Sequence, residues 1–149
     1  MGRGKYVCSI GEWEWIPGAL KALKNLKKAG YTIIVITNQP GVARHQIKLT
    51  VLEEIHEKMK NDALNAGGRI DAIYFCPHDW DEGCSCRKPE PGLLFQAQKD
   101  FSVDLSRLTF IGDDDRDGAA AKAAGVEWLK VTEKKPILDV VTDYLSLNN

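Results

Sequence analysis

An α/β fold is predicted, Rossmann-like, with a parallel sheet covered by helices on both faces, and three observations carry it. Apolar runs of strand length alternate with stretches of helical periodicity along nearly the whole sequence. Tyr31-Thr-Ile-Ile-Val-Ile36 is β-branched and too apolar for a half-exposed strand, so it belongs in a sheet covered on both faces. Leu108-Thr-Phe-Ile-Gly-Asp-Asp-Asp-Arg-Asp117 is an apolar run that stops abruptly at Gly112 and gives way to carboxylates, as the carboxyl end of a buried strand does.

The elements can be taken in chain order. Residues 1 to 15 resist assignment: Tyr6-Val-Cys-Ser-Ile10 suits a short strand, and Glu12-Trp-Glu-Trp15 alternates acid with aromatic. From Pro17, a good first-turn residue, Ala19, Leu20, Leu23 and Leu26 share one helical face with lysines opposite, and Gly30 stops the helix. The strand Tyr31 to Ile36 leads into a polar loop, Thr37-Asn-Gln-Pro-Gly-Val-Ala-Arg44, with turn chemistry. Thr50-x-x-Glu53 reads as a capping box, and Leu52, Ile55 and Met59 give the buried stripe of a helix to about Asn65, stopped by Gly67 and Gly68. Ile70 to Phe75 is the next strand, with a cysteine loop from Cys76 to Cys86 and a helix over Gly92 to Asp100 after it. After the acid-tipped strand come a helix over Gly118 to Ala124, a strand over Glu127 to Val131 and a closing helix from Pro136 to Leu147. Strictly alternating elements imply right-handed crossovers between parallel strands.

The 149 residues suffice for one globular domain, 1–149, with one core. A formal charge of −1 gives no reason to expect nucleic acid or an anionic membrane as partner. No apolar run reaches membrane-spanning length, Met1-Gly-Arg-Gly-Lys-Tyr6 lacks a signal-peptide core, and Tyr6 breaks the myristoylation pattern that Gly2 suggests. A cytoplasmic location is therefore expected.

Two clusters carry chemistry. The acids at the tip of the Phe110 strand repel one another and need a cation; hard oxygen ligands of this kind suit Mg²⁺. The plainer alternative is that Asp114 or Asp115 caps the next helix. Cys76-Pro-His78 and Cys84-Ser-Cys86, with five residues between, offer four soft or borderline ligands, enough for a closed tetrahedral Zn²⁺ site. A catalytic zinc keeps one position for water; four protein ligands make this one structural. The plainer reading is ordinary thiols and a surface histidine. Cys8 is left over and expected to be a buried free thiol.

Together, Thr37 to Arg44, Cys76-Pro-His78 through Cys84-Ser-Cys-Arg-Lys-Pro89, and Ile111-Gly-Asp-Asp-Asp-Arg-Asp117 resemble, in order and spacing, the haloacid dehalogenase superfamily of phosphatases. Within it the resemblance is to D-glycero-D-manno-heptose 1,7-bisphosphate phosphatases and histidinol-phosphate phosphatases, and the zinc loop joined to Arg-Lys-Pro is its most specific part. The resemblance implies that Thr37 holds a phosphoryl oxygen with Asn38 beside it. It further implies that Lys88 neutralises phosphate charge and Arg87 reaches the substrate. Asp113 is implied as the Mg²⁺ ligand, Asp117 as the acid that steadies the metal shell, with Asp114 a further candidate ligand.

One departure accompanies the match. The family's first strand ends in Asp-x-Asp-Gly, which supplies the nucleophile and the general acid and base. No opening strand of this sequence ends so; Gly4 to Ile10 aligns with the segment after it. The central strand is then missing, between those of Ile33 and Phe110. Unpaired backbone there must be satisfied by Tyr6 to Ile10 folding inward, by direct pairing of the flanking strands, or by another copy in a homodimer. The expected function is hydrolysis of a small phosphate ester with a divalent metal at the acidic tip, by water rather than an aspartyl nucleophile. Asp114, Asp115 or Asp117 would be the base. The alternatives are a catalytically silent, zinc-stabilised phosphate-binding or interaction module, or a fragment complemented by another chain.

Overall fold

The computed structural model describes residues 14–38, 42–43, 47–78, 84–86 and 88–148. Tyr6 to Ile10, with Cys8, and Arg87 and Arg44 lie outside the described residues.

Helix α1 (Ala19–Lys28) begins after Gly18, whose positive φ of 82° starts the helix without a side-chain cap, and buries Ala22. Strand β1 (Ile34–Asn38) pairs in parallel with β2 (Ala72–Cys76), Thr37 opposite Phe75 and Asn38 opposite Cys76. The expected strand ended at Ile36, and the difference matters. Pairing with β2 carries β1 two residues further, so Thr37 and Asn38 belong to the strand tip rather than to a loop.

Between these strands runs α2 (Leu49–Asn65). The expected capping box is not formed: the N-cap is Lys48, with no side-chain cap, and Thr50 and Glu53 lie inside the helix. Ile47 and Leu52 are buried together with Ile55 instead. An apolar residue before the N-cap packed on one at the fourth helical position is a hydrophobic staple, which sets the entry angle as a cap would.

Helix α3 (Gly92–Phe101) leads through a short 3₁₀ turn at Leu105–Arg107, not foreseen in the sequence, whose Asp104 accepts hydrogen bonds from the Ser106 backbone at 2.9 Å and hydroxyl at 2.8 Å. Strand β3 (Thr109–Gly112) then pairs in parallel with β4 (Glu127–Lys130) around α4 (Asp115–Ala124), and α5 (Ile137–Asn148) closes the chain. Helix α1 packs with α5 and α2, and α3 with α4, so the strands carry helices in two groups. No helix of the described residues is long and apolar enough to cross a membrane.

Among the described residues the strands form two parallel pairs, β1·β2 and β3·β4, not one sheet. Direct pairing of β1 with β3, one of the expected ways to close the centre, is not seen there. Among the described residues an apolar cavity of about 490 Å³ lies between the pairs, lined by Ile34 and Ile36 of β1, Phe110 of β3, Ile55 of α2 and Val141 of α5.

Candidate functional site

The carboxyl ends of the parallel strands β1 and β2 lie side by side, and Lys88, bonded both to Asn38 at the end of β1 and to Asp117 at the start of α4, brings the segment after β3 to the same edge, where open α/β sheets bind ligands. Thr37 is 5 % exposed, and its hydroxyl lies 3.4 Å from the Asn38 carbonyl. Its neighbour Asn38 reaches across to the loop after the cysteines. The Asn38 side-chain N–H donates to the Lys88 carbonyl at 3.3 Å, and the Lys88 backbone N–H donates to Asn38 Oδ1 at 3.1 Å.

Lys88 in turn spans to the third loop. Its ammonium pairs with Asp117 Oδ1 in a largely buried ion pair, the side chains 16 % and 6 % exposed. Asp117 lies in the first turn of α4, where its Oδ2 accepts the Asp114 backbone N–H at 3.2 Å and completes a capping box. Gly112 leaves room for this: a Cβ there would overlap the Asp117 carboxylate. In the sequence this glycine only marks where the apolar run stops; what the packing requires of it is the missing side chain.

The acids separate into different jobs. Asp114 caps α4, and both its carboxylate oxygens meet Arg116, at 3.0 Å to Nε and 2.8 Å to Nη2. Those Arg116 hydrogen bonds, from side chain and then backbone, hold the Asp114 carboxyl at about 2. Asp115 is exposed and pairs with Lys130 at 3.1 Å. Asp113 is exposed at the strand tip. Asp113, Asp114 and Asp117, expected together around Mg²⁺, thus form no three-carboxylate cluster among the described residues. Helix α4 begins at Asp115 rather than Gly118, which draws Asp114 and Asp117 into its cap. The same shift puts Asp115-Arg116-Asp117-Gly118, an Asp-x-Asp-Gly tetrapeptide, in a helical first turn and not at a strand end.

Cys76, His78, Cys84 and Cys86 do converge, their ligand atoms all within 4.8 Å of one another. The His78 Nδ1 lies 3.2 Å from Cys86 Sγ and 3.4 Å from Cys76 Sγ, and Cys76 Sγ lies 3.4 Å from Cys84 Sγ. Cys86 Sγ and Cys76 Sγ stand 2.7 Å apart, closer than two thiolates on one tetrahedral zinc with bonds of about 2.3 Å, so seating the ion requires these two to spread while the four ligands keep their places around it. Burial pushes the Cys76 and Cys86 thiols up, so a cation must supply the charge that favours thiolates. The loop is tied down by Gly92, whose N–H donates to the Ser85 carbonyl at 2.9 Å and whose Cβ would collide with that carbonyl. A further bond joins the two loops: the Ala43 N–H donates to the Pro77 carbonyl at 3.2 Å. The sequence could not single out Asn38 as a link to Lys88, because the two are fifty residues apart.

Residues 5–135 match the family described as Polynucleotide kinase 3 phosphatase. The D-glycero-beta-D-manno-heptose-1,7-bisphosphate 7-phosphatase of Pseudomonas aeruginosa is 39% identical over 132 residues, covering 89% of this chain and 74% of that protein. The protein of the same name from Bordetella bronchiseptica is 41% identical over 128 residues, covering 85% and 72%. Among solved structures, the D,D-heptose 1.7-bisphosphate phosphatase from B. bronchiseptica, complexed with magnesium and phosphate, has a TM-score of 0.89 at 33% identity, covering 95% of this chain and 89% of that one. The D,D-heptose 1,7-bisphosphate phosphatase from Burkholderia thailandensis gives 0.68 at 26% identity, covering 92% and 90%.

Proposed function

Since the chain belongs to the Polynucleotide kinase 3 phosphatase family, and has the fold of a haloacid dehalogenase-like phosphatase, that of Mesorhizobium loti matching with a TM-score of 0.77 at 25% identity, we propose that it hydrolyses a small phosphate monoester, with a sugar phosphate as the substrate class. One observation carries the reading: Lys88 joins the tip of β1 through Asn38 and the start of α4 through Asp117, so three separate turns meet around one cation. Phosphoryl transfer asks mainly for positioning and for positive charge facing the phosphoryl oxygens.

In this reading Thr37 and Lys88 hold those oxygens, and Arg87 reaches the rest of the substrate. Asp113, exposed at the strand end, fits a hard cation, with Asp117 steadying the site from behind. When bound, Mg²⁺ would offset charge on the phosphoryl group. Asp114, held at about 2, is a weak base, and Asp117 is engaged by Lys88. The zinc-type quartet holds the loop that delivers Lys88.

Purified chain incubated with p-nitrophenyl phosphate and Mg²⁺ should release p-nitrophenol, and Thr37→Ala and Asp113→Asn should each cut the rate at least about tenfold. Turnover by the parent that survives both changes would sink the reading.

A further inference from the structure

We propose that Asn38 is a positioning residue for Lys88, acting through that residue's backbone and not by contact with substrate; the inference rests on the phosphate-ester reading, in which Lys88 faces the phosphoryl group. The side-chain amide of Asn38 makes a reciprocal pair of hydrogen bonds with one residue's backbone, donating to the Lys88 carbonyl and accepting from the Lys88 N–H. That is the pattern a neighbouring strand would offer, supplied here by a side chain at the last residue of β1. Lys88 is thereby held at both ends. Its backbone is fixed to β1, and its ammonium is fixed to Asp117, which is fixed to the start of α4 by the Asp114 N–H.

A lysine stem has four rotatable carbons and places its charge only as well as its backbone is placed. Without the clamp, Lys88 is held near the sheet edge chiefly through the cysteine cluster, the Gly92 bond to Ser85 and its own ion pair with Asp117. Asn38 therefore sets where the cation stands, while Thr37, one residue earlier, remains the residue offered to the ligand.

The test is a double-mutant cycle on the zinc-loaded full chain, reading the dissociation constant for inorganic phosphate in the presence of Mg²⁺. Asn38→Ala should weaken binding about tenfold in the parent and less than about twofold in a Lys88→Met background. Equal losses in both backgrounds would mean that Asn38 touches the ligand itself and would overturn the proposal. Asn38→Asp is the control of near-identical shape: it keeps the acceptor and sets a carboxylate oxygen against the Lys88 carbonyl, so it should be at least as harmful as alanine.

A second readout needs no ligand. The ¹⁵Nζ resonance of Lys88, assigned by its loss in Lys88→Met, should disappear or move in Asn38→Ala while the rest of the spectrum stays dispersed. An unmoved Lys88 signal rejects the clamp. A parent that binds no phosphate while this signal still responds to Asn38 would reject the phosphatase reading and leave the positioning role standing.

Discussion

With zinc bound by the Cys76, His78, Cys84 and Cys86 quartet as proposed, its removal is expected to lower the melting temperature by roughly 10 °C and to loosen the Lys88 loop. In small zinc peptides the metal contributes on the order of 10–16 kcal/mol, because no site exists in the unfolded chain. Here part of the loop is already anchored by β2 and by the Gly92 bond to Ser85, so about 3 kcal/mol is the share that should appear in unfolding. Buried Cys76, with its neutral thiol stabilised by burial, then packs as an ordinary apolar residue. Metal analysis should return about one zinc per chain, and Cys84→Ser should reproduce the loss. A metal-free protein melting at the same temperature as the loaded one would remove the assignment.

Lys88→Met is the second large effect, and it should appear twice. Asp117 is 4 % exposed, and removing the ammonium paired with it leaves a buried carboxylate uncompensated, which costs about 3–5 kcal/mol. Turnover of p-nitrophenyl phosphate should fall by about a hundredfold as well, since the charge facing the phosphoryl oxygens is gone. The two losses separate in the pair variant. Lys88→Met with Asp117→Asn should recover most of the stability, because the orphaned charge is removed, and none of the activity. Thermal unfolding and initial rates on the three proteins check this; recovery of both together would mean that Lys88 is structural only.

Several features were readable without coordinates because the signal is local. The metal quartet is written within eleven positions of sequence, from Cys76 to Cys86, and its ligand atoms do lie together. The acid-tipped strand is equally local: apolar residues, a glycine and then carboxylates at Thr109–Gly112 and beyond. The order of helices and strands came from periodicity, although their ends did not. Helix α2 shows why: Thr50 and Glu53 form a sound capping pattern, yet the burial of Ile47 against Leu52 moved the helix start to Leu49.

Division of labour among neighbouring acids was only partly legible: the capping role of Asp114 was one of the sequence's own alternatives, because a cap is a local contact, whereas the pairing of Asp117 and the exposure of Asp113 depend on what surrounds them. Asp114 went to Arg116 and the helix cap, Asp117 to Lys88, and Asp113 stayed in solvent. Contacts between residues fifty and twenty-nine apart, Asn38 with Lys88 and Lys88 with Asp117, depend on where the sheet edge brings the loops. So did the split of the described strands into two parallel pairs around an apolar cavity, since pairing is decided between strands and not within them. Residue types and short spacings, which depend on chain neighbours, determined the α/β class and the metal quartet. Which charge meets which, and at what burial, was decided by tertiary packing alone, because Coulomb energy and desolvation depend on distances that sequence separation does not set.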